Sequence, residues 1–202
     1  MDVRADGAGK TMRKLRADAA RNHERVLEAA KAVFGTGGAE ASLEAVARRA
    51  GVGIGTLYRH FPTREALFEA VYRREVEQLA DLADQLKSDP APTGALRRWL
   101  HANVELVATK KGMLAALALA AHSPTELYAY SFDRLSKAMG ALLDRAVTAG
   151  EIRSDVSAGD LLRALVGMCF LYDQPGWQAN VLRLVDVLVD GLCLQPVQAG
   201  AG

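Results

Sequence analysis

The chain has 202 residues, 50% of them apolar and 24% charged, with a net charge of +1. That composition fits a folded globular protein able to bury a substantial core without disulfides, and it excludes a disordered chain. The polar opening "MDVRADGAGKTMRKLR" has no apolar h-region, and the longest run without a formal charge, 112–125, falls short of the roughly 20 residues a membrane-spanning helix needs, so a cytoplasmic protein with no membrane partner is expected.

The near-zero net charge hides an asymmetry. Residues 1–74 hold 14 Lys/Arg against 9 Asp/Glu, whereas 75–202 hold 11 against 15. A basic N-terminal third suggests that this part alone meets a polyanion, although such a split also arises by chance. Cys169 and Cys193 show no CxxC spacing and lie in apolar surroundings, so both are expected reduced.

Taken in chain order, the apolar residues recur at helical spacing and little reads as strand. Residues 1–17 are expected to form a mobile basic arm. A first helix follows, with Val26, Ala30, Val33 and Phe34 on one face and Gly37–Gly38 at its end. Ser42 is the expected N-cap of a second helix, "LEAVARRA", which stops at Gly51. A third, very short helix spans about 54–60, and Pro62–Thr63 close it and cap the next. A long fourth helix covers about 64–87. Further helices are expected at about 94–109, 112–121, 125–149, 157–172 and 178–194, about nine in all. "SAGD" at 157–160 resembles a capping box with Asp replacing Glu or Gln.

The stretch "AGVGIGTLYRHFPTREALF" carries the most information. Two short helices joined by a glycine-containing turn fit a helix-turn-helix. Gly51 supplies the positive φ of a sharp turn. Gly53 and Gly55 bear no side chain at the start of the third helix, so its backbone N–H groups can approach a phosphate or base edge. Tyr58 and His60 can each donate to a phosphate oxygen, and Arg59 can donate in bidentate fashion. Arg48, Arg49 and Arg64 add cations nearby. A solvated basic face is the alternative for each charge alone, but turn spacing, glycine placement and basic side chains agree.

The run "ASLEAVARRAGVGIGTLYRHFPTREALFEAVY" resembles the DNA-binding module of the TetR family of bacterial transcriptional regulators, over about residues 20–75 and most specifically from Ser42 to Phe68. The resemblance implies an all-α fold: an N-terminal three-helix bundle containing a helix-turn-helix (domain 18–64), then a larger C-terminal helical domain for ligand binding and dimerisation (65–202). It implies a homodimer on double-stranded, palindromic operator DNA, released by a small-molecule effector. Carried over, Ser42 meets the phosphate backbone, and Gly53, Ile54, Gly55 and Thr56 start the recognition helix in the groove. Tyr58, His60 and Arg64 grip phosphates. Few of these side chains read base edges, so shape readout is expected to weigh more. Arg13, Lys14 and Arg16 could reach a minor groove from the arm, or belong to a plain soluble tail.

No catalytic constellation is visible. "GVGIGT" fails the dinucleotide-binding spacing, "GKT" at 9–11 lacks the rest of a P-loop, and no serine sits in GxSxG. The four histidines form no ligand pair by spacing, so neither metal nor cofactor is expected. The last two helices are apolar on more than one face. Leu161, Leu162, Leu165 and Cys169, with Leu182, Val185, Leu188, Val189 and Leu192, are therefore expected at a twofold four-helix interface, the alternative being a helix pair buried within one monomer. Trp99, Leu100, Val104, Leu117, Phe132, Met139, Met168 and Trp177 could line an effector cavity or simply fill the core. A small helical carrier or enzyme without DNA, and a constitutive DNA-binding protein without effector, remain the competing readings.

Overall fold

The computed structural model describes residues 5–36, 42–116, 125–171 and 175–194. Eight helices account for almost all of them: α1 (Ala5–Thr36), α2 (Leu43–Ala50), α3 (Ile54–His60), α4 (Arg64–Leu86), α5 (Pro92–Ala116), α6 (Thr125–Thr148), α7 (Ala158–Leu171) and α8 (Trp177–Leu192). The all-α reading holds. The only β pairing among the described residues is an isolated antiparallel bridge between Ile152 and Cys193.

Two boundaries differ from expectation for identifiable reasons. Residues 5–17, expected in a mobile arm, are the first turns of α1. From Lys10 onward this stretch has no proline or glycine and is rich in Ala, Leu, Lys and Arg, so propensity favours the helix even before Val26 begins the buried face. The helices expected at about 94–109 and 112–121 are one, α5, because Gly112 does not interrupt it. A single glycine costs a helix about 1 kcal/mol, which neighbouring packing offsets. Here a Cβ on Gly112 would lie 3.4 Å from the Cα of Gly35 and 3.6 Å from two α1 carbonyl oxygens. These are ordinary contact distances, so α5 passes close to the end of α1 at this point and a side chain larger than a methyl would meet its backbone.

The chain divides into two compact units, residues 1–72 with 111–122 and residues 73–110 with 123–202. The first of these units runs to Tyr72, past the expected 64, because the opening turns of α4 group with the N-terminal helices. In the first unit Val26, Ala30, Phe34, Val46, Leu57, Leu67 and Val71 form a sealed core. In the second, Leu96, Trp99, Leu100, Met139, Leu142, Val181 and Val185 do the same, and the Trp99 indole N–H donates to the Leu79 carbonyl at 2.8 Å.

Helix ends in the second unit are satisfied by partners both distant and near in sequence. Pro92 occupies the first position of α5, where its missing N–H costs nothing. The Glu151 carboxylate accepts from the Thr93 backbone N–H at 3.0 Å and from its hydroxyl at 2.6 Å. Gly150 ends α6 at φ +72°, and the chain then pairs with the end of α8 through Arg153 N–H to Leu192 O and Leu194 N–H to Glu151 O. At α7 the Ser157 hydroxyl oxygen accepts from the Asp160 N–H at 3.2 Å and its proton goes to the Asp160 carboxylate at 2.6 Å, the reciprocal arrangement that "SAGD" suggests.

Candidate nucleic-acid interface

The helix-turn-helix is built around a locked turn. Ser42 is extended at φ −124° and ψ 159°, and its Oγ accepts from the Ala45 N–H at 3.1 Å, satisfying one of the orphan amides at the start of α2. At the other end Gly51 takes φ +64°. Its N–H donates to the Arg48 carbonyl at 3.2 Å while the Val52 N–H donates to the Ala47 carbonyl at 3.0 Å, the paired bonds of a Schellman termination.

Sequence reasoning missed the residue that completes this end. Arg25 of α1 donates from Nη2 to the Ala50 carbonyl and, at 3.4 Å, to the Gly51 carbonyl. A guanidinium there meets the negative end of the α2 dipole. The two partners stand 25 positions apart, and no local sequence signal links them. A Cβ on Gly51 would stand 2.7 Å from Arg25 Nη2, so turn and clamp occupy the same space.

α3 starts without a side-chain cap. Gly53 supplies only its carbonyl, which accepts from the Thr56 and Leu57 N–H groups at 2.9 and 3.1 Å. Leu57 and Phe61 are buried and fix the helix to its support. Its other face is open: Ile54 is 39% and Tyr58 45% exposed. Gly53, Gly55, Arg59 and His60 are exposed too, with Thr56 half-buried. A Cβ on Gly55 would meet no atom within 4 Å, and one on Gly53 only the Thr56 hydroxyl at 3.9 Å. Packing inside the chain does not require either glycine. The space they leave faces outward.

The exposed polar groups are already partly oriented. Arg59 Nε donates back to the Gly55 carbonyl at 3.4 Å. The His60 ring stands edge-on to His23 of α1, centroids 6.1 Å apart, and His23 lies 5.1 Å from the Phe61 ring. Spacing in the chain hides this pairing of two histidines. Among the described residues no group of three or more His, Cys, Asp or Glu side chains is placed to hold a metal ion.

Ser42 and Arg64, expected at phosphates, meet around Glu44. The Glu44 carboxyl is held below its usual range by its own backbone N–H first, then by the Ser42 hydroxyl, with the Arg64 charge a smaller contribution. The Ser42 side chain thus serves the start of α2 itself. Arg13, Lys14 and Arg16 fall on α1, and their side chains lie outside the described residues.

The other expected sites on described residues belong to the second unit. Trp99, Leu100, Val104 and Met139 are fully buried, Phe132, Met168 and Trp177 half-buried, and Leu117 lies outside the described residues. Two open clefts there lie elsewhere. One, of about 530 Å³, is lined by Val147, Ile152 to Asp155 and Gly191 to Leu194; the other, of about 500 Å³, by Pro92, Ala141, Asp144, Arg145, Thr148 and Ala149.

The residues expected at a twofold interface are placed differently. Leu161, Leu162, Leu165, Cys169, Val185, Val189 and Leu192 are buried in the chain's own core, and Leu182 and Leu188 half-buried. Much of the apolar surface of α7 and α8 is covered by the chain itself. The polar stripe of α8 is also taken. Arg97 of α5 donates to Asp186 at 3.0 Å and to Asp190, and His101 Nε2 lies 2.9 Å from Asp186 Oδ1. The apolar side chains left outside are Val187 at 67%, Phe170 at 50% and Leu184 at 38% exposed.

Comparison with known proteins agrees with this layout. Residues 26–71 match the model for bacterial regulatory proteins of the tetR family, and residues 91–194 the model for the C-terminal domain of SbtR-like transcriptional regulators. Among solved structures, a TetR transcriptional regulator from Streptomyces coelicolor is 42% identical over 86% of this chain and 99% of its own, with a TM-score of 0.75. A TetR transcription regulatory protein from Mycobacterium vanbaalenii is 35% identical over 89% and 99%, with a TM-score of 0.72. The HTH-type transcriptional repressor KstR of Mycolicibacterium smegmatis is 33% identical over 141 residues. That match spans 65% of this chain and 66% of KstR. An HTH-type transcriptional regulator of Staphylococcus aureus is 36% identical over 76 residues, so the chain spans 41% of that relative's length.

Proposed function

The chain belongs to the TetR family of bacterial transcriptional regulators, and from that premise we propose that it is a ligand-responsive repressor, with no enzymatic role, that binds a palindromic operator in the cytoplasm as a homodimer. The observation that carries the reading is the outward face of α3. Leu57 and Phe61 anchor the helix while Ile54, Tyr58, Arg59 and His60 stand exposed. The bare backbone of Gly53 and Gly55 leaves room for a groove wall. A helix presented this way fits a major groove, with N–H groups and hydroxyls on phosphates supplying most of the affinity. Tyr58, His60 and Arg64 are the proposed phosphate contacts, and Thr56 with Ile54 the groove contacts.

Dimerisation is assigned to the outer surface of α7 and α8 around Phe170, Leu184 and Val187. These side chains stand exposed on helices whose other faces are largely filled. A twofold arrangement places two copies of α3 about one helical turn of DNA apart, or a multiple of it. α4 and α5 each contribute residues to both units, which suits them to carry an effector's influence from the second unit to the first. The effector acts through a difference in affinity for the DNA-binding and released states.

Titration of the full chain against DNA from upstream of its own coding sequence, followed by fluorescence anisotropy, tests the reading. Tight binding that weakens steeply with salt supports it, because phosphate contacts release counterions. Binding no tighter than to random duplex refutes it.

A further inference from the structure

Within the second unit one buried group is left unsatisfied in a place where packing offers it nothing. Asn103 is 1% exposed at the middle of α5, and its Nδ2 has no hydrogen-bond partner among the described residues. Its neighbours along the helix, Leu100, Val104, Leu106 and Val107, are all buried and apolar. Asparagine is a poor helix former, and a buried amide donor without an acceptor is destabilising, so neither propensity nor packing explains the residue. The other orphan, the Ser136 hydroxyl, lies one helical turn from both Phe132 and Gly140. Those residues face α7, with Arg163 5.1 Å over the Phe132 ring and a Cβ on Gly140 3.8 Å from that of Ala158. It is a separate feature.

Two turns beyond Asn103 on the same side of α5 is Lys110, about 10 Å further along the axis. Its ammonium lies 6.0 Å from the centroid of the Tyr128 ring on α6, and burial lowers its pKa. Asn103 thus presents a hydrogen-bond donor in apolar surroundings, with a cation two turns along the same face of α5. Glu75, the buried carboxylate among the unit's described residues, is met at 3.4 Å by Arg74 on its own helix. A donor set of this kind selects a molecule by what it accepts.

We propose that Asn103 is the specificity-determining contact of the effector site, and that the effector is a largely apolar molecule bearing an acceptor oxygen, a carbonyl or a carboxylate, to which the Asn103 amide donates. The inference rests on the ligand-responsive reading above and deepens it. Lys110 favours the carboxylate where both forms compete. A site built around an orphan donor rejects an analogue that lacks the acceptor, because the amide then stays unpaired.

The test uses the full chain and Asn103→Leu, with decanoic acid, 2-decanone and decylamine as probes. Without any probe, Asn103→Leu melts at a higher temperature than the parent, because it removes an unpaired amide from an apolar site. An unchanged or lower melting temperature overturns the inference, since it shows the amide satisfied. In calorimetric titration decanoic acid or 2-decanone binds the parent at least tenfold more tightly than decylamine does, and Asn103→Leu loses that tenfold. Failure of both oxygen-bearing probes to bind, a preference for decylamine, or an unchanged affinity in Asn103→Leu each overturns it. Lys110→Met separates the two oxygen sources: it removes a preference for decanoic acid and leaves 2-decanone unaffected. Operator affinity read on the same samples keeps the two readings apart. Probe binding through Asn103 without DNA binding sinks the regulator, whereas DNA binding with Asn103 silent sinks only this inference.

Discussion

Replacing Gly51 with alanine is a sharp test of the turn on which α3 depends. Where backbone geometry is compatible, Gly→Ala stabilises a protein by about 0.4–1 kcal/mol through the unfolded chain. Here the residue sits at φ +64°, a left-handed conformation that costs an L-residue about 1–2 kcal/mol. The new Cβ would also stand 2.7 Å from Arg25 Nη2. A guanidinium is a flexible end and can withdraw, but doing so gives up its bond to the Ala50 carbonyl. At a partly exposed site that bond contributes about 1 kcal/mol. The sum is a loss of about 2–3 kcal/mol, a large share of the 5–15 kcal/mol that holds an ordinary domain together. Urea unfolding followed by circular dichroism measures it. Gly51→Asn, which tolerates the left-handed region, loses less. Gly51→Ala loses less in an Arg25→Met background than in the parent, because the clamp is already absent. An alanine variant as stable as the parent refutes the account of the turn.

Other outcomes follow from the same geometry. Tyr58→Ala and His60→Ala each weaken operator binding about tenfold, the loss of roughly one charged hydrogen bond, without moving the melting temperature; anisotropy and thermal melts read the two effects separately. Val187→Asp puts a charge on the exposed apolar surface of α8 and yields a monomer in sedimentation analysis, while its helix content stays that of the parent. The Asp186 carboxyl is held below its ordinary value of 3.8 by Arg97 first and His101 second. A depressed carboxyl pKa contributes stability above the ordinary value and loses it as pH falls further. Acid unfolding below about pH 3.8 is thus shallower in Asp186→Asn than in the parent. Gly112→Val forces a branched side chain against the Gly35 backbone and destabilises the first unit by about 1–3 kcal/mol, read in the same urea titration.

The helix-turn-helix was legible because its signals are local. Gly51, Gly53, Gly55 and Pro62 bracket a segment too short to be an ordinary helix, and the residues that orient it lie within a few positions. What escaped notice depends on pairs far apart in the chain. Arg25 reaches Ala50, His23 meets His60, and Arg97 and His101 occupy the acidic stripe of α8. The length of α1 was missed because the apolar pattern begins only at Val26, whereas helix propensity extends the element back toward Lys10. The apolar breadth of α7 and α8 was read as a need to bury more than one face, and the chain itself already covers Leu161, Leu165, Val185 and Val189. Periodicity says how much surface must leave water; it does not say whether the same chain or a second copy covers it.

Hydroxyl-radical footprinting of the full chain on DNA from upstream of its coding sequence tests the central claim most directly. The account predicts two protected half-sites related by a twofold axis, centred about one helical turn or a multiple of it apart, with Tyr58→Ala removing protection in both. A featureless pattern, or a single site that survives Tyr58→Ala, contradicts it.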